Sequence, residues 1–292
     1  MTLPGDPETD PSAAAALQTA AASTSAAARP RVWTRYVAIG DSFTEGLVDP
    51  DPEPPQGYAG WADRLAVHLD RVAEGAGHRL AYANLAVRGR LLDDIVGPQL
   101  EAALAMEPDL VSIVGGGNDI MRPSVDLTEL ADLLETAVVR VRATGADVLL
   151  ATPTDPRDAG VFRTLRPRHA VHAANIFSIA HRHGAHVLNI WGSDWLRDWR
   201  MWGPDRIHPT TEAHRRLALA ALLTLGHELP DGTDGGWDAP LPPAPGVSRR
   251  DELRDHAQWV REHAGPWVQR RLRGASSGDA LLPKRPELTP LR

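Results

Sequence analysis

From residue 33 onward, short apolar runs alternate along the chain with longer segments whose apolar positions recur at helical spacing. A short apolar run between turn residues predicts a buried strand, and apolar residues three or four apart predict an amphipathic helix. In the segment 60–75, for example, Trp61, Leu65 and Leu69 fall on one helical face. The predicted strands are 35–40, 80–87, 109–116, 147–152 and 185–191, and the predicted helices are 60–75, 91–105, 127–144, 167–183 and 211–225.

Strands that alternate with helices predict a parallel sheet, because the chain has to cross back over the sheet between successive strands. The pattern therefore predicts an α/β fold over residues 33–226, a three-layer α/β/α sandwich with a five-stranded parallel sheet. Pro98 lies inside the predicted helix 91–105. Because proline has no backbone N–H, we expect it to disturb the middle of that helix.

The two ends of the chain differ in composition from this predicted domain. Residues 1–32 are rich in Ala, Ser and Thr, and we interpret them as a disordered leader or as the product of a misassigned upstream start codon. Residues 227–292 are interpreted as a Pro/Gly-rich linker, a C-terminal helix and a polar tail. The helix is expected to pack on the domain through Trp259, among other residues.

The composition limits the possible functions. Of the 292 residues 24% are charged and 42% hydrophobic, as in an ordinary globular protein, and the net charge of -7 argues against nucleic acid or an anionic membrane as a partner. There is no cysteine, which excludes disulfides, thiolate metal sites and a cysteine nucleophile. No apolar run approaches the roughly 18 residues of a membrane span, and no secretory signal is evident, so a cytoplasmic location is expected.

The first predicted strand runs directly into a small polar residue, in the stretch "YVAIGDSFTEG" at 36–46. Gly40, Asp41 and Ser42 all favour turns, so one interpretation is an ordinary turn. The other is a nucleophile, since open α/β sheets bind their ligands beyond the carboxyl ends of their strands. Ser42 is therefore a candidate nucleophile, provided that a base lies next to it.

His208 is the strongest candidate for that base. In "DRIHP", Asp205 precedes it by three residues, so that one turn of chain brings the carboxylate to Nδ1 and leaves Nε2 free for a serine. The same stretch also predicts the start of a helix, with Thr210 or Thr211 as the cap and Glu212 in the first turn. The two interpretations are compatible, because a helix start would rigidify the loop.

Two further turns follow predicted strands. "GGGND" places Asn118 after the third strand, where its amide could donate to a developing oxyanion. "NLAVRG" places Gly89 after the second strand, where a backbone N–H could donate to the same oxygen. Taken singly, each is also explained as a tight turn, and the glycines of the first as a phosphate-binding loop, although the lysine that such a loop requires does not follow.

Taken together, the four blocks "GDSFTEG", "NLAVRG", "GGND" and "DRIHP" resemble those of the SGNH (GDSL-type) hydrolase family, in the family's order and over residues 35–225. The resemblance implies a flavodoxin-like topology and a serine esterase that needs neither metal nor cofactor. It implies that Ser42 attacks an acyl carbonyl, that His208 acts as base and then acid, and that Asp205 orients the imidazole. The N–H groups of Ser42 and Gly89 and the amide of Asn118 are expected to form the oxyanion hole.

The family acts on many kinds of ester, and fold alone does not choose among them. The sequence has no evident lid insertion, which favours short-chain acyl or acetyl esters of a small molecule or a carbohydrate. Two alternatives stay open at this point: a lysophospholipase or thioesterase that acts on longer acyl groups, and a non-catalytic ligand-binding module on the same fold. The sequence does not predict the oligomeric state.

Four tryptophans precede the histidine block, namely Trp191, Trp195, Trp199 and Trp202. They are expected to serve mainly in the core, and Trp202, the one nearest His208 in sequence, is a candidate wall of the acyl pocket.

Three histidines, His181, His183 and His186, form a weaker candidate for a metal site. Their spacing straddles a predicted helix end, and the pattern offers them no carboxylate partner. The sequence therefore predicts no metal site.

Overall fold

The computed structural model describes residues 31–50, 57–244, 246, 259, 261, 278 and 280–291, and its helices and strands alternate as the sequence predicts. The strands are β1 (Arg35–Gly40), β2 (Ala81–Asn84), β3 (Leu110–Val114), β4 (Asp147–Ala151), β5 (His186–Leu188) and β6 (Arg285–Pro290). The α-helices within these residues are α1 (Ser42–Glu45), α2 (Gly60–Gly75), α3 (Leu92–Asp94), α4 (Leu100–Ala105), α5 (Gly117–Ile120), α6 (Leu127–Ala143), α7 (Arg166–His183) and α8 (Thr211–Thr224).

The strands form one sheet in the order β5-β4-β3-β1-β2-β6. The five predicted strands pair in parallel, with β1 between β2 and β3, so that Val37 is opposite Ala83 on one side and Val111 on the other. Read from β2 to β5, the order 2-1-3-4-5 is the flavodoxin-like topology. The predicted fold class is confirmed.

The prediction of five strands was one short. β6 pairs antiparallel with β2 at the edge of the sheet, and it comes from the segment that the sequence analysis assigned to a polar tail. Its residues are exposed or half-buried without a period of two, so the strand leaves no alternating hydrophobic signal. Pro286 and Pro290 fit there because an edge strand does not need every backbone N–H for pairing.

Each face of the sheet carries its own hydrophobic core. Along β1, Tyr36 and Ala38 face a core that α2 and α8 cover, whereas Val37 and Ile39 face a core formed with α3, α4, α6 and α7. Because β1 is buried on both faces, its sequence is continuously apolar, as central parallel strands require. The result is the three-layer sandwich that the alternation predicts.

Two predicted elements differ locally from the observed ones. The helix expected over 91–105 is interrupted around Pro98 by a π-helical turn, Ile95–Gln99, which confirms the expected disturbance. The strand expected over 80–87 ends at Asn84, whose side-chain oxygen accepts a hydrogen bond from the N–H of Ala86 (3.1 Å). A side chain that bonds the backbone two residues on offers the chain a turn in place of the strand ladder.

The first turn after β1 packs directly on the start of α2. Gly46, at the end of α1, has φ +91°, and a Cβ on it would lie 2.5 Å from the backbone of Gly60. Gly60 also has positive φ, +45°. Only glycines allow two backbones to approach this closely, so this contact fixes the position of the short helix that begins with Ser42.

The leader and the C-terminal helix predicted from the sequence lie almost entirely outside the described residues, and they stay predictions. Of the C-terminal helix, the structure describes only Trp259 and Arg261. Among the described residues, no helix is long and apolar enough to cross a membrane.

Candidate active site

Ser42 lies where the sheet presents it, one residue beyond the N-cap that follows β1. The Asp41 carboxylate caps α1 by accepting a hydrogen bond from Phe43 N–H (3.0 Å). Gln99 holds the preceding residue from below, because its side chain accepts from Gly40 N–H (2.8 Å) and donates to Gly40 C=O (3.0 Å). As the first residue of a helix, Ser42 has a backbone N–H with no acceptor within that helix.

The structure brings Ser42, His208 and Asp205 into one line of hydrogen bonds. His208 Nε2 lies 2.8 Å from Ser42 Oγ, and His208 Nδ1 lies 2.6 Å from Asp205 Oδ2. A carboxylate can only accept, so Nδ1 carries the proton and Nε2 is left to accept from the serine hydroxyl. This arrangement can deprotonate Ser42 at the moment of attack.

The Asp205 carboxylate is held by more than the imidazole. Its Oδ1 accepts hydrogen bonds from the N–H groups of Ile207 and His208, both at 3.0 Å. Burial opposes its ionisation, but these bonds and the contact with His208 outweigh burial and keep the pKa of Asp205 below its usual value. The group is therefore an anion at neutral pH, as an orienting carboxylate must be.

The histidine loop is closed at its base and leads into α8. Gly203 N–H donates to His208 C=O (2.8 Å), and Trp202 and Pro209 form an isolated antiparallel bridge. The Thr210 side chain then accepts from Ala213 N–H and caps α8. The two interpretations of this stretch thus hold together, with Thr210 as the cap.

The Asn118 amide lies beside the nucleophile turn. Its Nδ2 donates to Arg90 C=O (3.0 Å) and, over a longer distance, to Asp41 Oδ2 (3.3 Å). Burial is the main cause that raises the pKa of Asp41 to about 6, with Asp119 and Glu45 among the nearby negative charges. Gly89 adopts φ +74° in the turn after β2, and its role as a donor stays a prediction.

A cavity of about 210 Å³ opens beside Ser42, His208 and Asn118. Part of its wall is apolar, formed by Phe43, Val114, Met121, Ala151, Ile190 and Leu196. The remaining wall includes charged side chains, namely Asp155, Asp158, Arg197 and Arg206.

The four tryptophans divide between core and cavity. Trp195 is buried in the core, as expected, whereas Trp199 and Trp202 line the cavity. The indole N–H of Trp202 donates to Leu196 C=O (2.7 Å), which fixes the ring. Trp191 stacks under the guanidinium of Arg166. The placement of Trp202 supports its assignment to the pocket wall, which stays a prediction.

Trp259, from the C-terminal part of the chain, contacts the histidine loop. Its indole N–H donates to the backbone carbonyl of Asp205 (2.9 Å), and its ring packs on Arg206 and edge-on against Phe162. Arg206 has φ +57°, unusual for a residue with a side chain, so neighbouring contacts have to hold it in place. No pattern in the sequence links Trp259 to this loop.

The histidines weighed as a metal site have other partners. His183 Nε2 contacts Glu135 Oε1 at 2.6 Å, so the expectation that these histidines lack a carboxylate partner was wrong. The ring of His186 packs edge-on against Trp33. Within the described ranges, no group of three or more His, Asp or Glu side chains is arranged to hold a metal ion.

The sequence matches a family model over residues 38–216, more than half of the chain, and the model is that of the GDSL-like lipase/acylhydrolase family. The chain belongs to this family and is a carboxylic ester hydrolase. A binding module without catalysis is therefore not favoured. No curated protein matches the sequence.

Solved structures share the fold. LAE5, an alpha/beta hydrolase enzyme from the metagenome of Lake Arreo, is 25% identical with a TM-score of 0.57, and the match covers 66% of this chain and 95% of that one. A variant of Axe2, an acetyl xylan esterase from Geobacillus stearothermophilus, is 22% identical (TM-score 0.56; 68% and 97% covered). TesA is 24% identical (TM-score 0.52; 65% and 97% covered).

Replacing Asp205 tests the geometry of the histidine. With Asp205→Asn the imidazole loses both the acceptor that fixes its tautomer and the charge that stabilises imidazolium, a change that costs serine proteases about ten-thousandfold in kcat. We expect a loss of at least about thirtyfold here, because Nδ1 can recruit a backbone carbonyl in its place. The measurement is kcat for an activated ester at pH 8, with folding checked by circular dichroism.

Asp194 and Asp198 provide matched controls, because both also precede His208 but form ion pairs with Arg197 and Arg200. Asp194→Asn and Asp198→Asn should each stay within about threefold of the wild type. Near-normal turnover in folded Asp205→Asn, together with a large loss in either control, would overturn the assignment.

Proposed function

We propose that the protein is a serine esterase that hydrolyses short-chain acyl or acetyl esters through an acyl-serine intermediate. Ser42 Oγ attacks the ester carbonyl while His208 Nε2 takes the hydroxyl proton. The tetrahedral intermediate then breaks its bond to the alcohol oxygen, and His208 returns the proton to that leaving group. Water attacks the acyl-serine with His208 again as base, which releases the acid and restores the serine.

The observation that carries this proposal is the continuous contact from Ser42 Oγ through His208 to Asp205, at 2.8 and 2.6 Å. Distances of this size lie within the reach that a nucleophile, its base and an orienting group need. Ser42 also forms part of the cavity wall, so its hydroxyl can meet a substrate.

The oxyanion donors in this proposal are the N–H groups of Ser42 and Gly89 and the side-chain amide of Asn118. An amide nitrogen has two hydrogens, and Asn118 directs them towards Arg90 C=O and Asp41 Oδ2. The longer contact, to Asp41 at 3.3 Å, is the one that a transition-state oxygen would share or replace. The shorter contact would keep the amide in position throughout.

The lining of the cavity favours a short acyl group and a polar alcohol. A long hydrocarbon chain would need an extended apolar wall, and packing it against Asp155, Asp158, Arg197 and Arg206 would desolvate their charges at a cost. The same charged and polar groups can hydrogen-bond the hydroxyls of a small polar molecule or a carbohydrate.

Asn118→Ala tests the oxyanion assignment. Loss of one such donor lowers kcat by about a hundred- to a thousandfold in other acyl-transfer enzymes, and we expect a fall of that size with little change in KM. Asn175→Ala is the control, since the Asn175 amide donates to Leu127 C=O away from the site. A change confined to KM would make Asn118 a ground-state binding residue instead.

A series of p-nitrophenyl esters tests the substrate class. Acetate and butyrate should be hydrolysed much faster than palmitate, because the charged part of the cavity wall disfavours a long chain. EDTA should leave the rates unchanged. Faster hydrolysis of palmitate would favour the lysophospholipase or thioesterase alternative, and loss of activity in EDTA with recovery in zinc would refute the metal-free mechanism.

A further inference from the structure

The only lysine of the sequence, Lys284, lies beyond residues 38–216, which the family model matches. It directly precedes β6, yet its ammonium reaches across to the segment that begins with Ser42. Its Nζ donates to Glu45 C=O (2.7 Å), to Tyr58 C=O (2.8 Å) and to Asp63 Oδ2 (2.6 Å). An ammonium group has three hydrogens, so all three are used.

These contacts are buried and join separate elements. The Lys284 side chain is 6% exposed. Glu45 is the last residue of α1, where a carbonyl has no acceptor role within the helix, and Asp63 lies in the first turn of α2. A buried cation that binds all three acceptors fixes the end of α1 against the start of α2.

The Glu45 side chain extends this network to the turn that contains Gly89. Its carboxylate accepts from Arg88 N–H (2.7 Å) and Arg88 Nε (3.0 Å), and pairs with the rest of that guanidinium. The guanidinium in turn lies over the ring of Tyr58, with 5.3 Å to its centroid. Lys284, Glu45, Tyr58 and Arg88 therefore form one connected set of contacts beneath the nucleophile and the predicted oxyanion turn.

We propose that Lys284 is a positioning residue for catalysis. By holding Glu45 and Tyr58, it keeps α1 where Ser42 Oγ meets His208 Nε2, and it keeps the Gly89 turn in register through Arg88. The inference rests on the proposed function, since it assigns a role in placing the same nucleophile. Misplacing a reacting group by about 1 Å can cost about a hundredfold in rate.

Lys284→Met tests this role, because it keeps most of the length of the side chain and removes the ammonium. The matched control is Arg285→Met, since the Arg285 guanidinium contacts Tyr82 C=O, Thr289 and Pro290 at the sheet edge. At pH 8, with p-nitrophenyl acetate and folding verified by circular dichroism, we expect kcat of Lys284→Met to fall about ten- to a hundredfold with KM within about threefold. Arg285→Met should keep both within about threefold.

Loss of Lys284 leaves the buried Asp63 carboxylate without its partner, which can unfold a protein. The double variant Lys284→Met/Asp63→Asn removes both charges, and it should regain stability without regaining kcat. Folded Lys284→Met with kcat near the wild type, or an equal loss in Arg285→Met, would show that Lys284 only fastens β6 to the sheet.

A chemical rescue separates position from stability. Because the chain has no cysteine, Lys284→Cys can be alkylated at that residue alone, unfolded, with 2-bromoethylamine and then refolded, which restores an ammonium at nearly the same distance. We expect this product to recover kcat to within about threefold of equally treated wild type, whereas alkylation with neutral iodoacetamide should not. Equal activity of the two products would overturn the proposal, and an inactive wild type would instead refute the proposed function.

Discussion

The hydrogen bond between Ser42 Oγ and His208 Nε2 joins residues 166 positions apart, and the candidate site depends on its 2.8 Å length. One partner lies at the carboxyl end of the central strand and the other in a loop before the last helix of the domain. The sheet alone does not fix that distance, because both residues lie in turns. The contacts that hold those two turns are therefore as important to the site as the reacting groups.

Each turn is held from several directions. Gln99 binds both backbone groups of Gly40, and the contact between Gly46 and Gly60 seats the nucleophile helix on α2. On the histidine side, Trp259 donates to the carbonyl of Asp205. Trp259, like Lys284, lies beyond the region matched by the family model, so the C-terminal part of this chain contacts both halves of the candidate site.

The sequence predicted most of the fold because its signals are local. A central strand such as β1 is apolar throughout, and the amphipathic period of α2 is plain from its residues. β6 escaped prediction because an edge strand with two prolines and exposed side chains has no period. The motifs around Ser42 and His208 were also readable, since short spacings fix them. The contacts of Gln99, Trp259 and Lys284 were not, because they depend on tertiary packing between residues far apart in sequence.

The most direct test of the account is to label the protein with a fluorophosphonate and map the modified residue by mass spectrometry. An activated serine attacks phosphorus and keeps the phosphonyl group, so we predict one label per chain, on Ser42. Ser42→Ala should abolish the label, and His208→Ala should slow its incorporation at least about a hundredfold, because the hydroxyl then lacks its base. Stoichiometric labelling of a different residue, or equal rates in His208→Ala and the wild type, would contradict the account.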